Sequence, residues 1–119
     1  MSTDANLRVD VREEAGRLTV AVMTGSLDLH TAPSLYRQAI QVLDRRPSLI
    51  LDLADVTFCD SSGLNTLLRL HCHAQAAGGR LTVAGPPAQL VRMLAVTGID
   101  AVLPVYGAVA EARETYRAP

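Results

Sequence analysis

Lysine is absent: all eleven cationic residues of this 119-residue chain are arginines. Without a side-chain amine there is no Schiff-base chemistry and no phosphate-gripping lysine of a P-loop, and no glycine-rich phosphate loop is present either. The arginines are scattered and the formal net charge is −1, so the chain lacks the basic footprint of a nucleic-acid binder and the polybasic patch of a membrane-surface protein. Only two cysteines occur, Cys59 and Cys72. They have neither the spacing of a disulfide framework nor that of a zinc site, and both read as buried, reduced thiols. No apolar run is long enough for a signal h-region or a membrane span, and Met1 to Asn6 are polar, so a cytoplasmic address is expected.

What is present suits one compact unit. Hydrophobic residues make up 49% and charged residues 19%, too apolar for disorder, and no linker or repeat divides residues 1–119. Leu7 to Val11 and Leu18 to Val22 alternate apolar with polar and predict an antiparallel hairpin, turning through Glu13 to Gly16. Gly25-Ser26-Leu27-Asp28 is expected to break the second strand. A helix follows from about Ala32 to Arg45, with Thr31 as its cap and Pro33 in its first turn. Ser48 to Leu53 reads as a covered central strand, continued by Val56 to Cys59. A second helix runs from about Ser62 to Ala77 with Leu64, Leu67 and Leu68 inward, and Gly78-Gly79 ends it. Arg80 to Ala84 predicts a strand, Ala88 to Val96 a helix opened by Pro86-Pro87, Val102-Leu103 a short strand, and Val109 to Tyr116 a last helix. The order ββαβαβαβα defines an α/β fold, a small mixed sheet packed with about four helices.

Asp60-Ser61-Ser62-Gly63 stands where the central strand gives way to the second helix. Backbone N–H groups and the helix dipole favour negative charge there, so a phosphate on Ser61 would be well placed. The same position suits a serine cap, with Ser62 capping in either case and Asp60 complementing the dipole. Asp28 can be a turn residue that bonds its own backbone, a functional residue, or both. His71 and His73 lie two apart on the helix, point in different directions and cannot chelate one metal together; they read as a core-edge and a surface histidine.

Gly25-Ser26-Leu27-Asp28-Leu29-His30-Thr31-Ala32 and Val56-Thr57-Phe58-Cys59-Asp60-Ser61-Ser62-Gly63-Leu64 resemble the two signature segments of the STAS-domain anti-sigma-factor antagonists. The likeness continues through Gly78 to Val83 and Val91 to Ile99. It implies a switch in which an anti-sigma factor that is also a serine kinase phosphorylates Ser61, the unphosphorylated antagonist binds that kinase and frees the sigma factor, and a metal-dependent serine phosphatase resets the state. It also implies that Asp28 and Asp60 belong to the kinase-facing surface, with Ser62, Gly63 and Asn65 on the exposed first turn of the second helix. Asn65 and the run His71-Cys72-His73 depart from the family's usual pattern and bear on which partner is chosen. No cofactor, metal or catalytic residue is implied.

Two other functions compete. A serine hydrolase needs glycine two residues before its nucleophile, where Cys59 stands, and a histidine after its acid, whereas Asp100 follows His71 and His73. A non-switching interaction or scaffold module would share the core and helices. Asp60, Ser61, Ser62 and Asp28 together favour the switch over that alternative.

Overall fold

A computed structural model describes residues 6–116; residues 1–5 and 117–119 of the expected domain, including the polar stretch Met1 to Ala5, lie outside the described residues. The strands are β1 (Leu7–Ala15), β2 (Leu18–Leu27), β3 (Ser48–Cys59), β4 (Leu81–Ala84) and β5 (Val105–Tyr106). The helices are α1 (Ala32–Arg45), α2 (Ser61–Ala76), α3 (Ala88–Thr97) and α4 (Val109–Glu114), with a 3₁₀ turn at Ile99–Ala101. One five-stranded sheet runs in chain order; β1 is antiparallel to β2, and every later neighbour is parallel. The mixed α/β architecture is the expected one.

Side chains alternate faces along a strand, and this sorts the core into two layers. Ala21, Met23, Leu49, Leu51, Leu53, Leu81 and Val83 join residues of α1, α2 and α3 in the main cluster. The intervening Val20, Ile50 and Ala84 pack with Ala112 of α4 on the other face. β3 is therefore apolar on consecutive positions because both of its faces are covered near Ile50. On α1, Leu35, Ala39, Val42 and Leu43 form the buried stripe. Gly98, at φ 78°, ends α3 in the left-handed conformation that glycine adopts without strain.

The structure corrects several local expectations. The hairpin turn is narrower than Glu13 to Gly16, because Glu13, Glu14 and Ala15 pair with Val20, Thr19 and Leu18 after a bulge between Val11 and Glu13. Gly25 does not break β2. It lies within the strand at φ 119°, where a Cβ would stand 2.0 Å from the Asn6 carbonyl oxygen, so only glycine fits. Val102-Leu103 is not a strand: the 3₁₀ turn precedes it, Leu103 enters the main core, and β5 begins at Val105. The last helix stops at Glu114, leaving Tyr116 in a turn with its hydroxyl 2.7 Å from Thr82 Oγ1. Leu68 is half-buried while Thr66 takes a buried position, and Cys72 is exposed although Cys59 is buried.

Candidate functional site

β2 and β3 run parallel with Leu27 opposite Cys59, so the loops that follow them emerge side by side. The Asp60 amide extends the pairing by donating to the Leu27 carbonyl at 3.0 Å. Both signature segments thus meet at one end of the sheet.

Asp60 is the N-cap of α2. Its extended backbone, φ −114° and ψ −175°, brings Oδ1 over the helix start, where it accepts from the Ser62 and Gly63 amides at 2.9 and 3.1 Å. Oδ2 accepts from the Leu29 amide in the neighbouring loop at 3.2 Å. Neither expected serine cap occurs, since Asp60 already occupies the donors that a cap serves. Ser61 is the first residue of the helix, is exposed, and its hydroxyl has no hydrogen bond among the described residues.

Asp28 performs the matching task in its own loop. Oδ1 accepts from the His30 and Thr31 amides at 2.9 and 3.1 Å, an Asx-type turn, and its carbonyl accepts from the Ala32 amide at 2.8 Å. Thr31 occupies the cap position of α1 but makes no side-chain cap bond. Its hydroxyl turns back to accept from the Asp28 amide at 2.9 Å and to donate to the Ser26 carbonyl at 2.7 Å. Asp28 and Asp60 are therefore both spent on backbone amides, and no cluster of three or more His, Cys, Asp or Glu among the described residues could hold a metal.

The remaining expected site residues divide by depth. Ser62 is half-buried and Asn65 is exposed on the next turn. Gly63 is buried: a Cβ there would stand 2.3 Å from Leu27 Cγ and 2.5 Å from the Leu27 carbonyl oxygen. Its place in the signature follows from the close approach of α2 to the end of β2, and it supports the surface from beneath. Cys59, just before Asp60, has its thiol pushed up to about 12 by burial and then by the Asp60 charge, so it stays neutral. Its Sγ lies 3.4 Å from the Asp60 carbonyl oxygen.

One participant carries no signal in the sequence. Gln89, in the first turn of α3, accepts from the Cys59 amide at 3.3 Å and donates to the Cys59 carbonyl at 2.8 Å. β4 has stopped pairing with β3 at Asp52, so this side-chain amide takes the place of a strand beside Cys59. It also lies 3.1 Å from Met93 Sδ. A polar residue near a helix start looks like any solvated position, and only the fold brings it to the strand.

The family described as "Mlab, STAS domain" matches residues 7–104. The chain belongs to the STAS-domain family. Among its relatives, an anti-sigma F factor antagonist of Paenibacillus polymyxa is 29% identical over 103 residues, 85% of this chain and 87% of that protein. An anti-sigma-B factor antagonist of Bacillus subtilis is 25% identical over 100 residues, 84% of this chain and 91% of that protein. The crystal structure of an anti-sigma factor antagonist from Mycobacterium paratuberculosis superposes with a TM-score of 0.83 at 27% identity, covering 99% of this chain and 100% of that one.

Proposed function

We propose that this protein is an anti-sigma-factor antagonist acting in the cytoplasm. In this reading its unphosphorylated form binds an anti-sigma factor that is also a serine kinase and so releases a sigma factor, phosphorylation of Ser61 ends that binding, and a metal-dependent serine phosphatase restores it. The protein acts by binding and catalyses nothing itself. Asp28, Asp60, Ser62 and Asn65 form the surface presented to the kinase, with Gly63 beneath them.

The observation that carries the proposal is the state of Ser61, exposed and with its hydroxyl free of hydrogen bonds among the described residues, at the first position of a 16-residue helix whose cap is already supplied by Asp60. Nothing structural has to be broken for a kinase to reach that hydroxyl. The phosphate would meet the positive end of the helix dipole, so the modified protein stays folded. It would also add about −1.5 to −2 charges next to the Asp60 carboxylate, so a partner that docks there meets repulsion and a desolvation cost. The names of the antagonist relatives, and the resemblance of both signature segments, support the same reading.

The test is intact-mass spectrometry with site mapping after incubation with ATP and each purified anti-sigma kinase of the source organism. One phosphoryl group on the wild type and none on Ser61→Ala is the expected result. A kinase that binds the protein tightly and leaves Ser61 unmodified would instead make it a non-switching interaction module.

A further inference from the structure

A groove of about 470 Å³ opens between the N-terminal halves of α1 and α2, beside Ser62 and Asn65. Its apolar lining comes from Leu29, Ala32 and Pro33, and its only charged lining residues are Arg37 and Arg69. Both arginines are exposed, and no carboxylate of the described residues pairs with either. The Arg69 guanidinium lies 4.3 Å from the centroid of the Tyr36 ring, which holds it by a cation–π contact while its N–H groups remain available. Two unpaired guanidiniums beside an apolar floor match a segment carrying carboxylates and at least one apolar side chain, because the arginine fork binds carboxylate in two parallel hydrogen bonds.

We infer that this groove receives an acidic segment of the anti-sigma kinase and that Arg37 and Arg69 are its anchors; the occupant's identity rests on the functional reading above. Helix geometry connects the groove to the switch. Ser61, Asn65 and Arg69 are spaced by four and share one exposed stripe of α2. Arg69 lies about 12 Å from Ser61 along the axis, and its side chain leans back toward the N-terminus. A phosphate on Ser61, next in sequence to the lining residue Ser62, therefore adds negative charge beside the groove, where it repels the partner's carboxylates and offsets the positive field of the two arginines. Electrostatics of this kind gives the switch its direction: the same two arginines attract the partner before phosphorylation and lose that attraction after it.

The experiment measures affinity of the full chain for each purified anti-sigma kinase, tested singly, across a range of salt concentrations. The comparison is wild type against Arg37→Glu/Arg69→Glu and Arg37→Lys/Arg69→Lys, with Arg37→Ala included because Arg37 has no ring partner among the described residues. Circular dichroism checks that each variant is folded, and sedimentation checks self-association. The inference expects the charge reversal to weaken binding at least tenfold, Arg37→Ala to weaken it severalfold, the lysine pair, which keeps the charge but loses the fork and the stacking on Tyr36, to fall between wild type and the reversal, and the salt dependence to shallow when charge is reversed. Unchanged affinity in the folded reversal variant, with wild type binding normally, would overturn the groove and leave the function standing. A wild type that binds none of the kinases overturns the functional reading and this occupant together. Loss of self-association in place of kinase binding would assign the groove to a second copy of the chain and overturn the inference.

Discussion

The Asp60 carboxylate accepts the Leu29 amide at 3.2 Å across 31 positions of sequence, while its other oxygen caps α2 at Ser62 and Gly63. One side chain therefore sets both the start of the helix that carries Ser61 and the path of the neighbouring loop that carries Asp28.

Replacing Asp60 with alanine removes a cap and a latch together. The loss of stability expected from the cap is about 1–2 kcal/mol. Amide hydrogen exchange should accelerate at Leu29 as well as at Ser62 and Gly63. Asp60→Asn keeps a cap oxygen and should lose less. Ser61→Ala should stay within about 0.5 kcal/mol of wild type in chemical denaturation, as for an exposed side chain without a partner. If Ser61→Ala proved the more damaging change, Asp60 would not be the working cap.

Gly63→Ala sets helix propensity against packing. Alanine is favoured in a helix by about 1 kcal/mol. The new Cβ, however, would meet Leu27 at 2.3 and 2.5 Å, the second contact being to its backbone oxygen. Overpacking of this kind costs about 1–3 kcal/mol. A net loss of stability is expected, and a variant with a raised Tm would show that α2 does not lie this close to β2.

Gln89→Ala leaves the Cys59 amide and carbonyl without their partner on that edge of β3. A cost of about 1–3 kcal/mol is expected, with faster amide exchange at Cys59. Gln89→Glu keeps the acceptor but sets a carboxylate oxygen against the Cys59 carbonyl, so it should cost at least as much as alanine. Equal exchange rates at Cys59 in all three proteins would remove Gln89 from the support of the signature loop.

His71 supplies the pH dependence. It is buried, its Nδ1 has no hydrogen-bond partner among the described residues, and burial lowers its pKa from 6.5. The unfolded chain therefore binds the proton more readily than the folded one. The full contribution of the neutral histidine is present above about pH 6.5 and declines as pH falls through that value toward the folded-state pKa. His71→Leu removes both the titration and the orphaned nitrogen. Denaturation curves between pH 7.5 and 5.5 should show the variant at least as stable as wild type at the upper end, with an advantage that grows as the solution is acidified. Parallel curves would contradict the assignment.

Most elements were legible because local signals agreed with the tertiary result. The stripe Leu35, Ala39, Val42, Leu43 marks α1, the apolar run of β3 reads as a strand covered on at least one face where the structure covers both, and Gly98 marks the end of α3. The sequence misleads where a side chain answers to something distant. Leu103 is apolar because it fills the core from a turn, which imitates a strand in the sequence. Gly25 reads as a break, yet its reason is the carbonyl of Asn6, the residue just before β1. At the site, the position of Ser61 was readable from the strand-to-helix transition, whereas the capping by Asp60 depends on its φ and ψ, and the link to Leu29 depends on two parallel strands ending together.

The two outer strands of the sheet restrict how this protein can meet anything else. β5 is two residues long, and β1 bears Arg8, Asp10, Arg12, Glu13 and Glu14 around its bulge. Short, charged and bulged borders are poor templates for adding a further strand. Recognition by backbone ladder extension is disfavoured on both flanks, as is the edge-to-edge pairing of sheets that leads to fibres. Helices and loops are the surfaces left for contacts, so specificity becomes a property of side chains that can change without disturbing the sheet beneath them.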